Sequence, residues 1–329
     1  MTDDDTGTDV DSVTVTVTNL NPTLSNIAIT DVNEDGVAVL TGNIADTGTQ
    51  DSFTLLVDWG DGSAADSYDY PAGTSAITET HQYLDDNPSG TASDPYTVAL
   101  TLTDDDTGSD TDSATLTVTN ENPALSNVAI TDVYEGDVAI LTGNIGDIGT
   151  QDTFTLTVDW GDLSPTSTYT YPAGTVTFTE THLYLNVLPS GSAADTFTVG
   201  LTLIDDDTGF TTDNVTATVS NASPLVSLNV PTQTIQYSDY VFPVTITGTD
   251  VASDPLSITN ITTTARLLNG DQVITAGLPT GLSVVPAPGE SCQGADDGSN
   301  MHTCQWIVSG AIQVASGLYT VTVTIGDDN

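Results

Sequence analysis

Clustered carboxylates dominate the chemistry open to this chain. Asp104, Asp105, Asp106, Asp110 and Asp112 crowd one short connection, and Asp205, Asp206, Asp207 and Asp213 repeat it. The 329 residues hold 46 Asp and Glu against a single basic residue, Arg266, giving a formal charge of −45. No intrachain salt-bridge network offsets that charge, so the carboxylates must be spread over the surface, screened by salt or neutralised by bound cations. Hard oxygen ligands suit Ca²⁺, which takes roughly six to eight of them. The spacing is not that of an EF-hand loop, so the signal is compositional, and a merely solvated acidic surface is the competing reading. The same field repels nucleic acid and anionic lipid, which excludes both as partners.

Other constellations point away from catalysis. Glu79 with His81, and Glu180 with His182, lie at i, i+2 on predicted strands and so share a face. No Ser or Cys nucleophile with an orienting partner accompanies them. A structural histidine is the expectation for each. Asp58 and Asp61 in "DWGDG" suit turn-shaping bonds to backbone N–H groups. Trp59 and Trp160 fit core packing better than a sugar-stacking platform. The two cysteines, Cys292 and Cys304, are twelve residues apart. Paired in an oxidising compartment, they would stabilise their segment by roughly 3 kcal/mol. Two free thiols are the alternative, and zinc would need more ligands than these and His302. A disulfide and an extracellular location are therefore predicted. No apolar stretch approaches the roughly 20 residues that span a bilayer, so membrane insertion is not expected.

The elements that position these groups follow from a duplication. "NPTLSNIAITDV" at Asn21 returns as "NPALSNVAITDV" at Asn122, and "TLLVDWGD" as "TLTVDWGD". From Asn21 to Thr119 against Asn122 to Ser220, 64 of 99 residues match without a gap. Within the first copy, period-two runs over 24–30, 37–44, 53–59, 67–70, 76–83, 96–103 and 113–119 read as half-buried strands separated by turns. Thr and Val fill them because β-branched side chains fit a pleated surface. This pattern predicts an all-β chain of tandem immunoglobulin-like antiparallel sandwiches in a head-to-tail rod. The predicted divisions are an orphan strand within 1–19, sandwiches at 20–120 and 121–221, and a divergent third unit at 222–329.

The combination "VDWGDGS", "ETHQY" and "YTVALTLTDDDTG" resembles the PKD (polycystic-kidney-disease) domain, an immunoglobulin-like sandwich, over residues 20–221. The second copy departs at Leu163, where a turn glycine of the pattern is lost, which puts that turn's geometry in question. In the third unit, "GLPTGLSVVP" and "WIVSGAIQVASGLYTVTVTIGDD" are similar to a bacterial Ig-like/cadherin-like domain. These resemblances imply spacer or adhesion modules strung along microbial surface proteins, and no catalysis.

In such a string, the loop before the last strand of one sandwich faces the first loop of its predecessor. Glu34 and Asp35 are thereby expected opposite Asp205, Asp206 and Asp207. Glu135 and Asp137 are expected opposite Asp327 and Asp328, with Asp104, Asp105, Asp106 and Asp110 presenting the same surface on the first sandwich. Ca²⁺ at these joints would stiffen the rod. Residues 11–19 repeat the last strand of each sandwich, and the third unit stops before its own. Val13, Val15 and Val17 are accordingly predicted to insert beside Tyr319, Val321, Val323 and Ile325 of another copy, a heterologous contact that builds a filament. The alternative is part of a longer covalent surface adhesin whose repeats serve as stalk or as carbohydrate- or protein-binding modules. Sequons at Asn214, Asn221 and Asn260 carry little weight in so Thr-rich a chain.

Overall fold

A computed structural model describes the whole chain except residues 1–3, 6–7, 87–89, 186–191, 252–253, 294–300 and 328–329. Its first sandwich contains β1 (Thr23–Ile29), β2 (Val32–Asn33), β3 (Gly36–Ala45), β4 (Phe53–Asp58), β5 (Asp66–Tyr70), β6 (Ala76–Tyr83), β7 (Ser93–Asp104) and β8 (Ser109–Thr119). One sheet runs β1-β3-β6 and the facing sheet β2-β8-β7-β4-β5. All seven strands predicted for this repeat are present. The two-residue β2 was not predicted. It lies in the "DVNEDG" loop and pairs parallel to the end of β8, Val32 with Val118 and Asn33 with Thr119.

The duplicate repeats this plan in β9 (Ala124–Ile130), β10 (Val133–Tyr134), β11 (Val138–Gly146), β12 (Phe154–Asp159), β13 (Ser167–Tyr171), β14 (Thr177–Leu183), β15 (Ala194–Asp205) and β16 (Phe210–Ser220). Its sheets are β14-β11-β9 and β10-β16-β15-β12-β13. Alternation decides the faces: in β4 the residues Phe53, Leu55 and Val57 are buried while Thr54, Leu56 and Asp58 are exposed.

Each core is closed by an aromatic stack. Trp59 lies under His81 with ring centroids 4.8 Å apart, and His81 meets Tyr83 edge-on at 5.0 Å. The Tyr83 hydroxyl donates to the Trp59 carbonyl oxygen at 2.9 Å, and Tyr184 does the same to Trp160 at 3.0 Å. The glycine after each Trp is obligatory. Gly60 has φ +81°, and an added Cβ would lie 2.5 Å from the Thr97 carbonyl oxygen. Leu163, where the turn was in question, keeps the left-handed geometry of its counterpart Gly62, with φ +67° on a side chain 92% exposed. A non-glycine residue is strained there.

The third sandwich contains β17 (Leu225–Leu228), β18 (Val244–Val251), β19 (Ser257–Leu267), β20 (Gln272–Ala276), β21 (Leu282–Pro286), β22 (Met301–Gly310) and β23 (Gly317–Gly326). Its sheets are β17-β18-β22-β21 and β20-β19-β23. Cys292 and Cys304 are disulfide-bonded, with Cα atoms 5.1 Å apart and the bridge packed into the core. Among the described residues β23 pairs only with β19, so it forms a sheet edge where β7 and β15 have a neighbour on each side. Residues 11–20 form no strand here, and Val13, Val15 and Val17 are 86%, 76% and 90% exposed.

Candidate functional site: an acidic joint between sandwiches

The linkers are tied down by a repeated asparagine. Asn120 Nδ2 donates to Asp205 Oδ2 at 3.1 Å, matching Asn19 to Asp104 at 2.9 Å and Asn221 to Asp327 at 3.2 Å. Asp205 Oδ1 meanwhile accepts the N–H groups of Asp207 (3.0 Å) and Gly209 (2.7 Å), which fixes the turn between β15 and β16. From the first sandwich, Glu34 follows β2 and its N–H donates to the Thr119 carbonyl at 3.0 Å. Its Oε1 accepts the Glu121 N–H at 2.7 Å, so one carboxylate oxygen clamps the linker and the other, Oε2, faces the next sandwich.

There it meets a second set. Asp147 and Asp152 flank the turn between β11 and β12, and Asp207 lies in the turn after β15. Asp85 and Asp86 approach from the segment after β6. Ligand oxygens of Glu34, Asp85 and Asp86 lie within 4.8 Å of one another, as do those of Glu34, Asp147 and Asp152, and those of Asp85, Asp152 and Asp207. Oxygens bound to one Ca²⁺ at 2.3–2.6 Å can be at most about 5 Å apart, so each trio fits a common ion. An added Cβ at Gly149 would lie 2.6 Å from both Glu34 Oε2 and Asp152 Oδ2, so the glycine leaves room for these oxygens to meet.

Burial makes this cluster unlike a solvated acidic patch. Glu34, Asp86, Asp152 and Asp207 are all buried. No donor among the described residues reaches Glu34 Oε2, either oxygen of Asp86 or Asp152, or Asp147 Oδ2. The duplicate supplies an internal control: Asp106, the counterpart of Asp207, is exposed, whereas Asp207 against the preceding sandwich is 3% exposed. Burial pushes Glu34 up to about 8, with Asp152, Asp147 and Asp86 adding repulsion against the lowering effect of the Glu121 N–H. Asp86 and Asp152 rise to about 7, first through burial and then through neighbouring carboxylates, chiefly Asp207 for Asp86 and Asp147 for Asp152. Asp147 is raised to about 6, again mainly by burial. Buried carboxylates facing one another require protons or a cation between them. Arg266, the single Lys or Arg in the chain, is exposed in the third sandwich.

Of the residues expected at the joints, Glu34 and Asp207 both enter the cluster, in separate trios linked through Asp85 and Asp152, with Asp205 fixing the turn that carries Asp207. Asp35 instead takes a left-handed φ of +56°, and its Oδ1 accepts Gln82 Nε2 at 2.6 Å. Asp110 accepts the Leu24 N–H at 2.7 Å and so fixes β1. Asp206 accepts the Thr153 N–H at 2.7 Å. The Asp105 N–H donates to the Ser52 carbonyl, and Asp105 and Asp106 are exposed. Asp104 forms a trio with Asp46 and Asp51. At the second joint Glu135 is buried and accepts the Ala222 N–H at 2.9 Å, while Asp137 is exposed. Asp327 forms a trio with Asp250 and Asp254, and Asp328 lies outside the described residues. Sequence reasoning passed over Asp147 and Asp152, although "NIADTGTQD" and "NIGDIGTQD" repeat the pair. Asp85 and Asp86 carried no repeat signal.

The histidines take no part in this joint. His81 Nε2 is 2.7 Å from Asp61 Oδ2, and Glu79 accepts the Tyr70 hydroxyl at 2.6 Å. His182 pairs with Asp162 and Glu180 with Tyr171 in the same way. Trp59 and Trp160 are fully buried, which overturns the sugar-platform reading and leaves core packing.

No known protein family profile and no curated protein matches this chain. Among solved structures, a tetra-tandem repeat from the extending region of a large adhesion protein is similar at 16% identity and TM-score 0.37, covering 92% of this chain and 74% of that one. The FN1-FN3 domains of chicken CNTN1 align at 10% identity and TM-score 0.25, over 92% of this chain and 98% of theirs. CBD12 from CALX1.2 aligns at 8% identity and TM-score 0.23, over 56% of this chain and 81% of that one.

Proposed function

We propose that this chain is a stalk of PKD-type immunoglobulin-like sandwiches on an extracellular surface protein, and that Ca²⁺ at the joint between the first two sandwiches holds them at a fixed angle. The observation that carries this reading is the buried cluster at the first joint, built from both sandwiches with oxygens that no donor among the described residues satisfies. The tryptophan–histidine–tyrosine stack behind the "DWGD" turn supports the PKD assignment, and the disulfide suits an oxidising compartment. The role is mechanical: a cation bridging two sandwiches opposes bending and separation. Small-angle scattering and thermal melting with and without chelator test it. Calcium is expected to narrow the distribution of particle dimensions and raise the melting temperature. Indifference of both to chelator rejects the reading.

A second reading is favoured by the edge of β23, which pairs only with β19 among the described residues. In the first sandwich Leu116 and Val118 of β8 fill the core, with Leu116 opposite Tyr96. Val15 and Val17 stand at the corresponding sequence positions, and Tyr319 corresponds to Tyr96. A strand from a second copy can therefore pair with β23, Val15 facing Tyr319 and Val13 facing Val321. Deleting residues 1–19 is then expected to abolish head-to-tail assembly in sedimentation and electron microscopy. Unchanged assembly refutes it.

A further inference from the structure

The two joints are not equivalent, and their difference assigns them different metal content. At the first joint the three trios overlap: Glu34, Asp85 and Asp152 each belong to two of them. A carboxylate shared between two trios can bridge two ions, through both of its oxygens or, as for Glu34 whose Oε1 holds the Glu121 N–H, through a single one. Asp86 and Asp152 are buried with both oxygens unmet by any donor among the described residues, as bridging or bidentate ligation requires. Six carboxylates within this small volume also carry more negative charge than one divalent ion neutralises.

The second joint offers less. Among the described residues one trio forms there, Asp250, Asp254 and Asp327, and all three residues belong to the third sandwich. Glu135 reproduces the linker clamp of Glu34 but joins no trio among the described residues. One repeat after Asp85 and Asp86 the sequence carries Asn186 and Val187, so no carboxylates are available at those positions.

We propose that the first joint is a bridged site for at least two divalent cations spanning both sandwiches, whereas the second binds one cation held by the third sandwich alone. This rests on the calcium-stiffened stalk proposed above. It goes further in making the first joint a rigid element and the second the hinge.

The test uses the full chain. Native mass spectrometry counts bound Ca²⁺ in the parent protein, in Asp86→Asn/Asp152→Asn and in Asp250→Asn/Asp254→Asn. The first double variant is expected to lose at least two ions and the second one. Equal losses overturn the inequality of the joints while leaving calcium binding intact. A parent protein that binds no Ca²⁺ overturns the stalk reading itself. A second measurement needs no variant. Mn²⁺ ions bridged at about 4 Å give a spin-coupled resonance spectrum, and an isolated ion gives an uncoupled sextet. Both signals are expected in the loaded chain, and sextets alone refute the bridged pair.

Discussion

Replacing Asp152 with Asn should change stability in opposite directions with and without calcium. Asp152 is buried, its two oxygens have no donor among the described residues, and its pKa is pushed up to about 7 from an ordinary 3.8. A carboxyl whose folded pKa is raised binds protons more tightly when folded, so it costs stability as pH rises from about 4 through about 7. Roughly three pKa units at about 1.4 kcal/mol each set a ceiling near 4 kcal/mol at pH 8. Glu34 and Asp147 share this repulsion and relax when one charge is removed, which leaves about 1–3 kcal/mol for the single substitution. In chelator at pH 8, Asp152→Asn is thus expected to raise the melting temperature of the first two sandwiches, by roughly 2–4 °C per kcal/mol. At pH 4 the two proteins should melt together. In calcium the same variant loses a bridging ligand. An ion present at 100 times its dissociation constant contributes about 2.7 kcal/mol, most of which the variant forfeits. Differential scanning calorimetry in the two buffers reads both shifts. A rise in both buffers would refute the metal assignment, and a fall in both would refute the electrostatic reasoning.

Three other outcomes follow from the fold. Leu163→Gly should stabilise the second sandwich by about 0.5–1 kcal/mol in urea denaturation, because the left-handed strain at φ +67° outweighs the glycine's greater unfolded-state freedom. Tyr83→Phe and Tyr184→Phe should each cost about 1–2 kcal/mol by the same assay, since each strands a buried tryptophan carbonyl. Burial alone would raise Asp61, but the Ser63 hydroxyl, His81 and the Ser63 N–H outweigh it and hold the carboxyl below its ordinary range. Its contribution is therefore present above about pH 4 and lost as pH falls through the lowered value. Asp61→Asn should flatten the dependence of the melting temperature on pH in that acid window.

The strands were legible because they are local. Alternation of Thr and Val with apolar partners sets which face is buried, and the duplication marks corresponding residues without any coordinates. The disulfide pair was likewise readable from spacing, whereas the turn glycines and the structural histidines came with the resemblance to the PKD pattern. The brief β2 was not, because two residues carry no periodicity, and its parallel pairing depends on where β8 ends.

The site divides in the same way. Composition alone determined that this chain must manage a large negative charge without cations of its own, and repeat order placed Glu34 and Asp207 at one joint. Only the tertiary structure decided which carboxylates are buried together. Asp207 and Asp106 occupy the same position in nearly the same turn, yet one is enclosed and the other exposed, because only one has a sandwich packed against it. Asp85 and Asp86 join the cluster from a segment that the repeat pattern does not mark. A carboxylate's type is written in the sequence, but its desolvation is set by neighbours distant in the chain, and that desolvation distinguishes a cation site from a wet acidic surface.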